Sequence, residues 1–311
     1  MSSSQFILAI SIILILLIIP AIVALAVRHF IRDEEPDEDE IAQIEPPLQF
    51  DSLRDFWESN VPHLIELRDR LIKAVAGVLL GTMVGSYVVF AQPFGFSLID
   101  FLAAHFLQTS KLEGSLQAVE VAEFFVSSMG VAIAIGIAIA MPIIIYQIVA
   151  FFAPGLYARE KRIVFTALPF VLELFLAGLV FGWFFTVPAA INFLVTFGSW
   201  SQAVEIKPTV SDFLGIITRL MLWNGVIFEM PAVIFLLARI GVVSLETLRS
   251  TRRYAFVIIV IIAAFITPTG DPYNLLLMAL PMYALYEMGI LLARLVPRPS
   301  ADAAAQPSSG G

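Results

Sequence analysis

The sequence predicts an all-α membrane protein: a block of six membrane-spanning helices preceded by one extra N-terminal transmembrane helix. Three observations carry that prediction. Of the 311 residues, 59% are hydrophobic and only 14% charged, and mean hydropathy is +0.90; an ordinary soluble domain is about 45–50% apolar and roughly 25% charged. Several uninterrupted apolar runs approach or exceed the ~18 residues needed to cross hydrocarbon. Cysteine is absent, which excludes a disulfide framework, thiolate metal sites and cysteine nucleophiles. His29, His63 and His105 are too scattered for a histidine metal site, so neither a metal nor a cofactor is expected.

Taken in order, the spans read from apolar runs bounded by charge or turn residues are Phe6–Val27, Ala74–Phe90, Phe124–Phe152, Ile163–Pro188, Phe213–Ala238, Tyr254–Ile266 and Leu275–Leu292. Residues 1–28 form the extra anchor. Residues 29–60 form an acidic linker, because eleven carboxylates between Asp33 and Glu58 face Arg54 alone, and like charges with few apolar residues cannot support a core. That stretch carries −10 of the net −8, leaving +2 for everything else. Residues 61–296 hold the six-span block, and 297–311 are a low-complexity tail expected to be disordered. Phe124–Phe152 is longer than a bilayer requires, and its Ser128, Ala132, Gly136 and Ala140 recur every fourth residue, which suits close helix packing. Tyr254–Ile266 is undersized for hydrocarbon roughly 30 Å thick, and Leu275–Leu292 is interrupted by Glu287.

Orientation follows from the basic residues. With the linker cytoplasmic, that side collects fifteen of the eighteen Lys and Arg, leaving Lys111, Lys207 and Arg219 outside. The first N-terminus is then outside, and linker and C-terminus inside. The opening MSSSQ lacks the positive region of a secretory signal, so the first helix is expected to be an uncleaved anchor.

Enzyme signatures such as GxxxxGK[ST], HExxH and GxSxG are missing. What stands out is a set of carboxylates. In NVPHLIELRDRLIKA, Leu64, Leu67, Leu71 and Val75 share one helical face while Glu66, Asp69, Arg70 and Lys73 share the other. The plain alternative is a surface helix with i,i+4 pairs Glu66–Arg70 and Asp69–Lys73, each worth a few tenths of a kcal/mol. Glu160 sits among Arg159, Lys161 and Arg162 in the loop after the Phe124–Phe152 span; such an acid is ordinarily a solvated charge, or else an acidic contact for a cationic ligand. Glu173, Glu229 and Glu287 fall inside apolar spans, with no basic residue at comparable depth apart from Arg219 towards the outer end. An ionised acid there costs about 2.5–3.5 kcal/mol on insertion scales, so each must be protonated, hydrogen-bonded or wet. Pro231, two residues beyond Glu229, is expected to kink its span beside that acid.

From about Val61 to Arg294 the chain resembles the TatC family, the multi-spanning receptor subunit of the twin-arginine protein translocase. The resemblance rests on HLIELRDRL (63–71), MPIIIYQIVAFFAPGLYAREKR (141–162), FGWFFTVPAAINFL (181–194), FEMPAVIFLL (228–237), FITPTGD (265–271) and ALPMYALYEMGILLAR (279–294). It implies a concave six-helix bundle with short fifth and sixth spans, and a prokaryotic plasma-membrane location. It also implies a cytoplasmic site for signal peptides with consecutive arginines, formed by Glu66 and Glu160 with His63, Arg68 and Tyr157 nearby. Two acids suit two guanidiniums, whose planar donor forks a lysine does not reproduce. Glu229 matches the family's intramembrane glutamate, which meets a polar residue of a partner helix; Glu287 matches an acid of the last span and Asp271 one of the outer turn. The partners implied are single-span TatA-type and TatB-type subunits, signal peptides of folded cargo, further copies of the chain and the lipid bilayer, with no nucleic acid. The driving force implied is the proton-motive force. The extra anchor, the acidic linker and Glu173 depart from the family pattern. A proton-coupled small-solute transporter is the rival expectation, since midplane carboxylates also serve proton relays.

Overall fold

The computed structural model describes residues 53–109, 116–153, 168–198 and 208–294. The expected anchor, residues 29–52 of the acidic linker, residues 295–311 and the loop bearing Tyr157 and Glu160 lie outside these. Among the described residues the chain is helical apart from turns and one isolated bridge, and five helices are long and apolar enough to cross a membrane.

The first, α1 (Leu53–Phe90), is 38 residues long. It begins well ahead of the expected cap at Asn60, because LRDFWESN contains no helix breaker and propagates the helix upstream. Pro62 therefore sits inside the helix, where it removes one backbone bond instead of opening the first turn. The segment 53–60, expected as linker, is the start of this helix.

After a 3₁₀ turn (Pro93–Gly95) comes α2 (Leu98–Thr109), a 12-residue helix that the sequence reading did not assign. The second long helix, α3 (Glu123–Phe152), runs antiparallel to α1. Their backbones touch: a Cβ on Gly81 would lie 2.3 Å from the carbonyl oxygen of Gly136, and one on Gly85 2.2 Å from that of Ala132. The stripe noted on α3 thus meets glycines on α1, and only glycine fits there.

α4 (Leu168–Phe181), a π turn (Gly182–Thr186) and α5 (Val187–Gly198) form the third crossing. This corrects the expected end at Pro188. The π turn widens the helix just before the proline, and the Val187 N–H bonds to the Gly182 carbonyl, so the helix absorbs the missing donor and continues.

The fourth crossing is broken, into α6 (Val210–Phe228) and α7 (Met230–Arg239), with Glu229 at the joint and Pro231 in the first turn of α7. The kink expected from Pro231 is present. A short α8 (Leu245–Ser250) leads into α9 (Arg252–Ile266), whose 15 residues rise about 22 Å, less than the hydrocarbon thickness. The last helix, α10 (Pro272–Ala293), has 22 residues, a rise of about 33 Å. The expectation of a short final span is corrected: with Asp271 as cap, the helix starts at Pro272, three residues ahead of the expected Leu275.

The core lies where α4, α6, α7, α9 and α10 converge, around Phe213, Leu220, Phe228, Met278, Met282 and Ile290.

Candidate functional site

Basic residues gather at the end where α1 enters and α10 leaves the bundle. On α1, Glu66 is a third exposed, and its Oε1 accepts from Arg70 Nε at 2.9 Å and from Arg70 Nη2. One helical turn separates the two, as the i,i+4 reading requires. The companion pair does not form. Asp69 is engaged by its neighbour Arg68, from Nε at 3.0 Å and Nη2 at 2.8 Å, instead of by Lys73. His63 and Arg68 are exposed on the same helix. Tyr157 and Glu160 fall outside the described residues.

At this same end Glu287 is bound from two sides: Arg252 Nη2 donates at 2.7 Å and the Tyr283 hydroxyl at 3.2 Å. The expectation that no basic residue but Arg219 reaches an intramembrane acid is corrected here. Arg252 opens α9 and Glu287 lies two turns from the end of α10, so antiparallel packing joins residues 35 apart in sequence.

Glu229 is different. It is 6% exposed, and neither carboxylate oxygen has a hydrogen-bond partner among the described residues. The backbone explains its position, since Pro231 provides no N–H and the Glu229 N–H turns to Val226 O at 3.1 Å. Glu173 also leaves a buried oxygen, Oε2, without a partner. On Gly178 a Cβ would meet the Asn224 carbonyl at 2.3 Å, and on Gly225 it would meet the Phe175 ring. That antiparallel register of α4 on α6 sets Glu173 at about the level of Glu229 on the neighbouring helix. Closer to the helix centre, Asn224 is fully buried and donates to its own turn, Leu220 O, at 2.7 Å, while Thr186 lies 3.4 Å from its side-chain oxygen.

The opposite end holds acids of another kind. Asp271 accepts from the backbone N–H of Asn274 and from its side-chain amide, both at 2.8 Å. Burial works against its charge, yet the nearby Thr269 hydroxyl and then these two Asn274 donors prevail and hold the carboxyl below its ordinary value. Asp271 borders an open cleft of about 630 Å³ with Asn192, Thr196 and Tyr273. Glu123, which the sequence reading passed over, opens α3. Its Oε2 accepts from the N–H groups of Val119 at 2.6 Å and Glu120 at 3.3 Å, and its Oε1 from that of Ser211 at 2.8 Å. It ties the start of α3 to the first turn of α6, beside the bridge between Gln117 and Thr209. The sequence signal was available: an acid directly ahead of an apolar run, where a helix N-terminus favours negative charge.

The sites are therefore separate. Glu66, with His63 and Arg68, belongs to the basic end; Glu229 and Glu173 lie within the helices; Asp271 closes the opposite end, some 24 Å along α10 from Glu287 at helical rise. No group of three or more potential metal ligands occurs among the described residues.

Fold and side chains together define a multi-pass helical membrane protein with acids at distinct levels. The model of the family Sec-independent protein translocase protein (TatC) matches residues 62–281. Among relatives, the TatC protein of Deinococcus radiodurans is 36% identical over 237 residues, covering 75% of this chain and 84% of that one. The TatC protein of Helicobacter pylori is 36% identical over 240 residues, covering 77% and 90%. A crystal structure of the twin-arginine translocase receptor TatC is 33% identical with a TM-score of 0.64, covering 76% of this chain and 100% of that one. The chain belongs to the TatC family, whose members are components of the Sec-independent protein translocase.

Proposed function

We propose that this protein is the signal-peptide receptor and organising subunit of a twin-arginine translocase in a prokaryotic plasma membrane, exporting folded cargo at the expense of the proton-motive force. The observation that carries the reading is the likeness to the solved TatC receptor across all of that chain.

Glu66 would receive one arginine of the signal and Glu160 the other, with His63, Arg68 and Tyr157 around them. Arg70 on Glu66 has the guanidinium–carboxylate chemistry that an incoming arginine would use. The partly exposed resident pair costs little to exchange, because such pairs contribute about 0–1 kcal/mol. The apolar part of the signal would then run along the bundle toward Glu229. Its unpartnered carboxyl supports a role in meeting a donor from a TatA-type or TatB-type helix, since a buried acid without a partner is costly unless something completes it. Glu287 is a weaker candidate for that contact, being already held by Arg252 and Tyr283. Asp271 would serve the outer turn as a cap. Further copies of the chain would join in the receptor complex, with the linker and C-terminus cytoplasmic.

The test is photo-crosslinking of a twin-arginine signal peptide to membranes containing this chain. Wild type is expected to crosslink the Arg-Arg peptide and not its Lys-Lys variant, and Glu66→Ala or Glu160→Ala is expected to abolish labelling at unchanged protein abundance. Undiminished labelling in both variants contradicts the assignment. Ion-coupled solute uptake by the purified chain in liposomes would instead favour the transporter reading.

A further inference from the structure

Helix α1 is held almost entirely from one side. Its contact face is the glycine row Gly77, Gly81 and Gly85, pressed against Ile143, Gly136 and Ala132 of α3. Around the rest of its circumference Leu71, Val75, Leu79, Leu80, Met83 and Tyr87 are each about half exposed or more. Within its most apolar stretch only 22% is buried, against 39–50% for the other four long crossings. Among the five long crossings α1 is the one at the margin of the bundle; the shorter α9 is open as well, with Val257, Ile258 and Phe265 exposed.

The sequence provides an occupant for that side. Phe6–Val27 is a 22-residue apolar run with no charge, long enough to cross hydrocarbon. The chain between it and α1, residues 28–52, ends in the first residue of α1, Leu53. A connection of about 25 residues can extend to about 80 Å, while packed helices lie only about 8–10 Å apart. The tether therefore reaches the free side of α1 with slack, and it holds the apolar run at a high local concentration there. Direction agrees as well. Basic residues put the linker and the start of α1 on one side of the membrane, so the two helices meet antiparallel, as consecutive helices joined by a tether do. We propose that Phe6–Val27 packs along the exposed face of α1 opposite its glycine row, as an added helix of the bundle that withholds this face from other membrane helices.

Because the chain has no cysteine, pairs of cysteines test this directly. Met83→Cys is combined in turn with Leu14→Cys, Ile15→Cys, Leu16→Cys and Leu17→Cys, four positions that cover one helical turn at mid-membrane depth. The full-length protein, in native membranes, carries a protease site within residues 40–50. After oxidation and cleavage, the expected result is that one or two of the four pairs keep the two fragments of the same chain joined in most molecules. Gly77→Cys with Ile143→Cys, a pair in contact across α1 and α3, controls for oxidation and folding and is read as loss of maleimide-reactive thiol. In the oxidised sample before cleavage, a product of twice the chain mass overturns the proposal by assigning the face to a second copy. Absence of joining in all four pairs while the control closes overturns it by leaving the face to lipid. Signal-peptide binding is not involved, so the outcome is independent of the proposed receptor function.

Discussion

The acids at the end of the bundle opposite the basic residues and the acid at the break in the fourth crossing are both buried, yet they are treated in opposite ways. Glu123 accepts three backbone N–H groups, and Asp271 accepts two donors from Asn274. Glu229 accepts none from the described residues. The same functional group is thus complete in one region and incomplete in another. Complete carboxylates fix helix ends. An incomplete one, at 6% exposure, costs stability that the fold does not recover by itself, and this is the cost that the proposed donor from a partner helix would relieve.

Substitutions can break this contrast, and the stability changes should rank with the number of donors abandoned. Glu123→Ala strands three N–H groups and separates the starts of α3 and α6; the thermal midpoint of the purified protein is expected to fall most, by roughly 5–10 °C. Asp271→Ala removes the cap of α10 at a cost of about 1 kcal/mol, while Asp271→Asn recovers most of it. Glu229→Leu is expected to leave the midpoint unchanged or raise it, while abolishing cargo export in a complementation assay. A midpoint that drops as far as that of Glu123→Ala would show that Glu229 has an internal partner, and the contrast would fail.

His105 gives a smaller, pH-dependent signal. It lies on α2, stacked on Trp183 with centroids 4.7 Å apart and edge-on to Phe106 at 4.9 Å, and burial pushes its pKa below the ordinary 6.5. A depressed pKa means the unfolded chain takes up the proton first, so stability is intact above pH 6.5 and declines as pH falls from there towards the lower folded value. The slope from one group is at most about 1.4 kcal/mol per pH unit. Thermal midpoints at pH 7.5 and 5.5 should differ less in His105→Phe than in wild type; an identical difference would remove His105 as the cause.

Much of the helix layout among the described residues was legible because it depends on local composition. Apolar runs marked the long crossings, Pro231 announced the break at Glu229, and thirteen apolar residues between Tyr254 and Ile266 foretold a short α9. The failures were non-local or compensated. The continuation through Pro188 depends on a π turn that no apolar count reveals. The pair Arg252–Glu287 needs α9 folded back on α10. Glu123 is understood only when Ser211, 88 residues away, is beside it. Of the candidate site, Glu66 emerged with the partner that its i,i+4 spacing implied, whereas Asp69 chose Arg68 because an adjacent guanidinium reached it in two-pronged geometry.

The smallest expected stability effect belongs to Glu66→Gln, within about 0.5 kcal/mol of wild type, because its pair with Arg70 is partly exposed. That neutrality makes it the variant of choice for the central claim. In a double-mutant cycle, a labelled signal peptide is titrated onto purified wild type and Glu66→Gln, with Arg-Arg and with each single Lys replacement. Direct recognition predicts a coupling of about 1 kcal/mol or more between Glu66 and one of the two arginines. Strictly additive losses for both arginines would contradict it and remove Glu66 from the binding site.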